Sequence, residues 1–336
     1  MSEGAFRTVQ LGKEGTFGTE VDADVLLPVD VGSGELTLDR ASTIPDEDFG
    51  TIVQNLAGRG STGVRIATGS VSQQASFELV PYLLEAAIGT ADTSGTAAPY
   101  THVFTADATS DTSCSYTWEV DEGTQDWIGT GVQVVRFDMG YDAVGAGTNA
   151  MWTINADLQG ANNATGTATA SLSAPTTIQT MEGHLTQLYE GPAGTAYASL
   201  SELSASLVSY RVTVECPKPL RPYGGTADIA AAHGVQKRTA TIEAMLKISA
   251  TTITDIWDIY NVSGALPTNR RWRVKANGSN SALLTIDHML QFTDVHVEPD
   301  GRDGERLLSI AATCVYDSTN SSDLLLTFQN GISSYA

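Results

Sequence analysis

The sequence predicts a mainly β protein, and three observations carry that prediction. It is rich in Thr, Ser, Ala, Gly and Val and poor in Lys and Arg, which suits a sheet protein with many turns better than a helical bundle. Several stretches alternate strictly: in "AMWTINADLQ", Trp152, Ile154, Ala156 and Leu158 fall on one face and Thr153, Asn155, Asp157 and Gln159 on the other. "SYTWEVD" does the same, with Tyr116, Trp118 and Val120 opposite Thr117, Glu119 and Asp121. A sheet with one dry and one wet face is antiparallel by preference. Finally, the helical stripes are short and follow closely on strand-like runs.

Taken in order, the first 60 or so residues are punctuated by Gly, Pro and acidic clusters, with only short runs such as "VLLPVDV" and "ELTLDR", and read as an arm and a long loop. "SFELVPYLLEAAIG", residues 76–89, begins like a strand and becomes a helix of about two turns. Pro81 suits its first turn and Gly89 its C-terminus. Its stripe of Leu83, Leu84, Ala87 and Ile88 is expected to pack as a lid across the dry side of a sheet. The strand-like runs "YTHVFTAD", "SCSYTWEVD", "TGVQVVRFDMG" and "AMWTINADLQG" follow.

The second half repeats this order. "RTATIEAMLKISATTITDIWDIYNVSG" is again a strand-like run and a helix, opened by a Thr252 to Asp255 capping box and striped by Ile253, Ile256, Trp257 and Tyr260. "RRWRVKANG" is then expected to match "YTHVFTAD", "ALLTIDHML" to match "SCSYTWEVD", "LQFTDVHVEPDG" to match "VQVVRFDMGYDA", and "RLLSIAATCVYDS" to match "AMWTINADLQG". Identities hardly agree, but order, type and spacing do, and they imply two tandem sheet-plus-helix domains, 1–185 with the arm and loop, and 186–336. "TTIQTMEGHLTQLYEGPAG" joins them, and "CPKPLRPYGGTADIAAAHG" reads as a long surface loop near 217–235.

The 336 residues carry a formal charge of −21, which excludes gripping nucleic acid through clustered Lys and Arg but not letting it pass. Residues 1–185 hold 6 Lys and Arg against 24 Asp and Glu, and residues 186–336 hold 12 against 15. Cys114, Cys216 and Cys314 have neither CxxC nor metal-ligand spacing and read as free thiols. No apolar leader or run of membrane-spanning length is found, so synthesis in a cytoplasm is expected.

Catalytic and metal motifs are not found. His102, His184, His233, His288 and His296 are scattered, and those in strands read as satisfied structural histidines. "GRGSTG" and "GAGT" read as turns, and acidic groups such as Asp46, Glu47 and Asp48 as solvated charge, so no cofactor or metal is expected. "RRWRVK", residues 270–275, is the one basic cluster, expected to form a salt-bridging surface between subunits.

The run "GSVSQQASFELVPYLLEAAIGTADTSGTAAPYTHVFTAD", with "WEVDEG", "GTGVQVVRFDMGY" and the closing "AATCVYDSTNSSDLLLTFQNG", resembles the tail tube proteins of long-tailed, siphovirus-like bacteriophages. The resemblance covers most of 65–160 and 200–330 and lies in residue type. It implies β-sandwich or barrel-like domains, each flanked by one short helix, that assemble into rings stacked as a tail tube for DNA delivery. Most members have one tube domain per chain and form hexameric rings. Two domains here imply a trimer closing a pseudo-sixfold ring. The implied partners are the chain itself, the tape measure protein in the bore, tail terminator and distal tail proteins at the ends, and viral DNA in transit without sequence-specific binding. The place is the virion, and the role is structural, with no enzymatic activity.

An acidic lumen would keep DNA from sticking. The candidates to line it are Glu119, Asp121, Asp138, Asp157, Asp294 and Glu298. A capsid decoration protein or adhesin-like binding module is the alternative.

Overall fold

A computed structural model describes residues 7–43, 61–105, 113–142, 150–173, 177–203, 207–221, 232–234, 236–261, 268–298, 306–319 and 321–335. The chain opens with β1 (Thr8–Lys13), β2 (Val25–Leu27) and β3 (Leu36–Thr43), so residues 7–43 are built into the fold and are not the arm their Gly and Pro content suggests. Val9, Leu11, Leu27 and Leu36 are buried, and that tertiary burial, which no local period announces, recruits these short runs. The rest of the expected loop, 44–60, lies outside the described residues.

Next come β4 (Ser61–Gln74), helix α1 (Val80–Ala87), β5 (Asp92–Ser94), β6 (Tyr100–Thr105), β7 (Tyr116–Asp121), β8 (Asp126–Asp142), β9 (Thr153–Gly160) and β10 (Asn162–Gly166). Their pairings are antiparallel: β1 with β2 and β7, β7 with β8, β8 with β9 and β10, β9 with β4, and β4 with β3. The chain continues with β11 (Thr186–Pro192), β12 (Ser201–Glu202), β13 (Leu207–Glu215), the short pair β14 (Leu220–Arg221) and β15 (Ala232–His233), and β16 (Thr239–Lys247). A helical segment follows, made of α2 (Ala250–Thr252), a π-helical turn (Ile253–Trp257) and α3 (Asp258–Tyr260). Last are β17 (Arg270–Asn277), β18 (Leu283–Glu298), β19 (Leu307–Val315) and β20 (Leu324–Asn330). In this half β11 pairs with β12 and β17, β17 with β18, β18 with β19 and β20, β19 with β16, and β16 with β13, again antiparallel.

The pairing order of the two halves is therefore the same, and so is one irregularity. The register of β8 against β9 shifts between Val134 and Arg136, and that of β18 against β19 shifts between Phe292 and Asp294. A bulge bends a strand and lets its two ends serve different neighbours. The first part of β8 pairs with β7 and β10, and its last part with β9 and β13. Among the described residues two ladders join the halves, β8 with β13 and β20 with β6. The outcome is a mainly β molecule containing an eight-stranded antiparallel run, β3-β4-β9-β8-β13-β16-β19-β18.

The strand counterparts differ from expectation in two places. By pairing, "RRWRVKANG" in β17 answers β7 and not β6, and "ALLTIDHML" answers the first part of β8. Strand β6 instead binds β20, a nonlocal choice that spacing cannot reveal.

The helices differ too. "SFEL" is no strand: β4 ends at Gln74, Ser76 makes a single bridge to Thr180, and its Oγ accepts the Leu79 N–H at 3.2 Å. Pro81 does sit in the first turn of α1, and Gly89 follows its end with φ 147°. Yet all eight residues of α1 are buried, so it is an embedded core helix and not a lid with one wet side. Tyr82, Leu83 and Ala86 border one small gap in the core together with Leu11, Tyr116, Trp118, Val132 and Leu158. Its one charge, Glu85, is bonded by Lys13 Nζ at 2.8 Å, Tyr116 OH at 3.1 Å and the Ala91 N–H at 3.2 Å.

In the second half the capping box belongs to Ser249 and Thr252, one turn earlier than expected: Ser249 Oγ accepts the Thr252 N–H at 3.2 Å, and Thr252 Oγ1 accepts the Ser249 N–H at 2.8 Å. Of the expected stripe only Ile256 is buried. Ile253 is 39% exposed, because the π turn rotates the stripe away from helical phase.

Candidate functional site

Strand alternation sends every second side chain of the eight-stranded run to one face, and the other face forms the core. Phe137 and Met139 of β8, Ile154 and Ala156 of β9, Val212 and Val214 of β13, and Ile242 and Ala244 of β16 are buried on the inner side. The outer side carries Thr68, Ser70, Asn155, Asp157, Thr241, Glu243, Thr313 and other short polar groups. Asp157 stands opposite Arg136 in the β8–β9 ladder, 3.7 Å away, with both side chains about half exposed. Asp138 accepts Thr213 Oγ1 at 2.9 Å and is ion-paired with Arg211 across the β8–β13 junction. On β18, His296 lies between Asp294, at 2.9 Å, and Glu298, at 3.3 Å.

This face curves into a groove of about 420 Å³ whose lining includes Asp142, Arg211, Glu243, Asp294 and His296. Exposed ion pairs of this kind contribute about 0–1 kcal/mol each, so they do not hold the fold together. They do occupy the guanidinium groups. Arg136 and Arg211 face carboxylates, and Glu35, Asp39, Glu215 and Glu243 add exposed acids. Chemically the face is hydrated and net negative, which repels a polyanion.

Four of the six sequence candidates, Asp138, Asp157, Asp294 and Glu298, share this face. The other two do not. Glu119 is only 2% exposed and accepts the Ala23 N–H at 3.3 Å, the Thr169 N–H at 2.7 Å and Thr169 Oγ1 at 2.9 Å. The wet face expected for β7 is covered by these segments, and Thr117 beside it is fully buried. Asp121 closes the β7–β8 turn, accepting the Gly123 N–H at 2.7 Å. Glu35, Asp39 and Glu243 were missed, although "ELTLD" and "TATIEAML" alternate as clearly as the strands that were used.

The basic cluster is also reassigned. Arg270 pairs with Glu190, Arg271 with Asp317 at 2.8 Å, and Arg273 with both oxygens of Asp287 at 2.6 Å. Arg271 and Arg273 also lie over the Tyr197 ring at 5.1 and 5.6 Å. Strand β17 lies between β11 and β18, which supply Glu190 and Asp287, so these charges are spent inside the chain and not on a subunit surface. Burial pushes the Glu190 carboxyl above its ordinary pKa, and the hydrogen bond and charge of Arg270 pull it back.

His102 fits the structural role expected of it, bonding Thr93 Oγ1 at 2.9 Å, Asn330 Oδ1 at 3.2 Å and the Ile332 carbonyl at 2.9 Å. His288 does not. It is 1% exposed, and neither ring nitrogen has a hydrogen-bond partner among the described residues. It lies between Tyr210 and Trp272, with ring centroids 6.0 and 6.4 Å away, and burial pulls its pKa down to about 3. None of the three cysteines is in a disulfide. No group of three potential metal ligands is found among the described residues, and no described helix is long and apolar enough to cross a membrane. No family model matches the chain, and no curated protein matches its sequence.

Proposed function

We propose that the chain is a structural virion protein, a tail tube subunit of a long-tailed bacteriophage, made of two tandem tube domains over 1–185 and 186–336. Three chains would close a pseudo-sixfold ring, and rings would stack into the tube that delivers DNA. The observation that carries this reading is the repeated pairing order, which brings four strands from each half into one antiparallel run, wet and acidic on one face and packed on the other. Six units of similar shape close one ring whether they come from six chains or three.

On this reading the acidic face lines the bore. Phosphates sliding past it meet carboxylates and already paired arginines, so the counterion release that drives DNA binding is denied them. The partners are further copies, the tape measure protein in the bore, and the tail terminator and distal tail proteins at the ends. No catalysis is required of any residue.

Negative-stain images and mass measurement of the purified chain test the reading. Rings or tubes are expected, with a ring mass of three chains of 35.4 kDa. A protein that stays monomeric at high concentration overturns the tube, and a six-chain ring overturns the trimer alone.

A further inference from the structure

One junction between the halves lies inside the chain, and its two components each have a second, unused copy. Strand β13 adds to the last part of β8, with Val212 opposite Met139, Thr213 opposite Asp138 and Val214 opposite Phe137. The counterpart of β13 in the first half is β3, since each is the outer neighbour of the strand paired to β9 or β19. The counterpart of the last part of β8 is the last part of β18, fixed residue by residue by the shared bulge, Val134 matching Phe292 and Arg136 matching Asp294. Among the described residues β3 pairs with β4 alone, and residues 294–298 of β18 pair with β19 alone. Exposed strand edges are templates for another chain.

We infer that β3 of one copy adds antiparallel to residues 294–298 of β18 in the next copy, with Leu36 opposite Val297, Thr37 opposite His296, Leu38 opposite Val295 and Asp39 opposite Asp294. The register follows by carrying the β13–β8 pairing through the two strand correspondences. It is checked by a property not used to derive it. Thr37, Asp39, Asp294 and His296 are exposed, whereas Leu36 and Val295 are buried and Leu38 and Val297 half-buried, so wet residues meet wet and apolar meet apolar. A shift by one residue would reverse every one of these matches. The Leu36 carbonyl accepts Asn163 Nδ2 at 2.6 Å, which leaves it a second lone pair for the ladder.

The two junctions differ in charge. Inside the chain Glu215 faces Arg136 and Arg211 pairs with Asp138. Between copies Asp39 would face Asp294 and Glu35 would face Glu298, and like charges directly opposite are destabilising. The junction between copies is therefore the weaker one and strengthens as salt screens it.

The inference rests on the self-assembly proposed above, and cysteine cross-linking separates the two. In a Cys114→Ser background, chains bearing Thr37→Cys are mixed with chains bearing His296→Cys, oxidised mildly and run without reductant. A covalent dimer is expected from the mixture and from neither variant alone, with at least tenfold less when Asp294→Cys replaces His296→Cys. Yield is expected to rise severalfold between low and high salt. Rings or tubes without the 37–296 cross-link overturn this junction and leave the tube reading standing. A cross-link with no ring or tube keeps the junction and overturns the tube, and absence of both overturns both.

Discussion

The two halves share one pairing order but fill it differently. The first half encloses α1 completely, down to Glu85 with its Lys13 partner, whereas the second half leaves most of α2, the π turn and α3 at the surface and buries only Thr252 and Ile256 of it. The second half's core is instead filled by Trp272, His288 and Phe292, with His288 and Phe292 packed edge-on to Trp272 at ring-centroid distances of 6.4 and 6.0 Å. A sheet-plus-helix order thus specifies strand partners more firmly than it specifies what packs between them. The helix is structural filling in one half and surface in the other.

The largest expected effect tests the second core. Unfolded His288 titrates near 6.5 and folded His288 near 3, so between those values the unfolded chain binds the extra proton. Stability is full above about pH 6.5, falls as pH drops towards about 3, and levels off below. The loss is roughly 4–5 kcal/mol if the whole shift is realised. Denaturant melts of the parent and His288→Leu across this range should show a shallower acid limb in the variant. Equal slopes would mean the ring is not held neutral.

Next in size, Leu84→Ala in the enclosed helix is expected to cost about 3 kcal/mol, and Ile253→Ala in the exposed one less than about 0.5 kcal/mol, both by urea unfolding. Comparable costs would break the contrast between the helices. Between these two in size, Ser249→Ala removes the cap of the second helix and should cost about 1 kcal/mol. A clearly larger loss would show that this helix supports the core more than its exposure suggests.

Much of this architecture was legible in the sequence. The alternation in "AMWTINADLQ" predicted β9, with Ile154, Ala156 and Leu158 inward and Asp157 outward. The polar positions of "FTDVHVE" predicted the exposed Asp294 and His296 and the half-buried Glu298 on the same side. Alternation reports only that a strand has two kinds of side, not what covers them, and so Glu119 was read as wet although residues 23 and 169 close over it. The arginines of β17 misled for the same reason, since Glu190 and Asp317, the partners of Arg270 and Arg271, lie far off in sequence. Strand β1 was missed because a run of six residues gains its stability from neighbours and not from its own period.

The bulges in β8 and β18 have a consequence for how this gene can vary. Ahead of them the inward positions are even-numbered, Val132 and Val134 in one strand and Leu290 and Phe292 in the other. Beyond them they are odd-numbered, Phe137 and Met139, and Val295. Each bulge is a phase switch in a two-beat pattern. Val135 and Thr293 are the residues without a partner in the β8–β9 and β18–β19 ladders, so deleting either codon would straighten that strand and still leave Asp138 or Asp294 outward and Met139 or Val295 inward. Loss of either residue should therefore keep the two faces of the strand and remove only the bend that lets its two ends serve different neighbours.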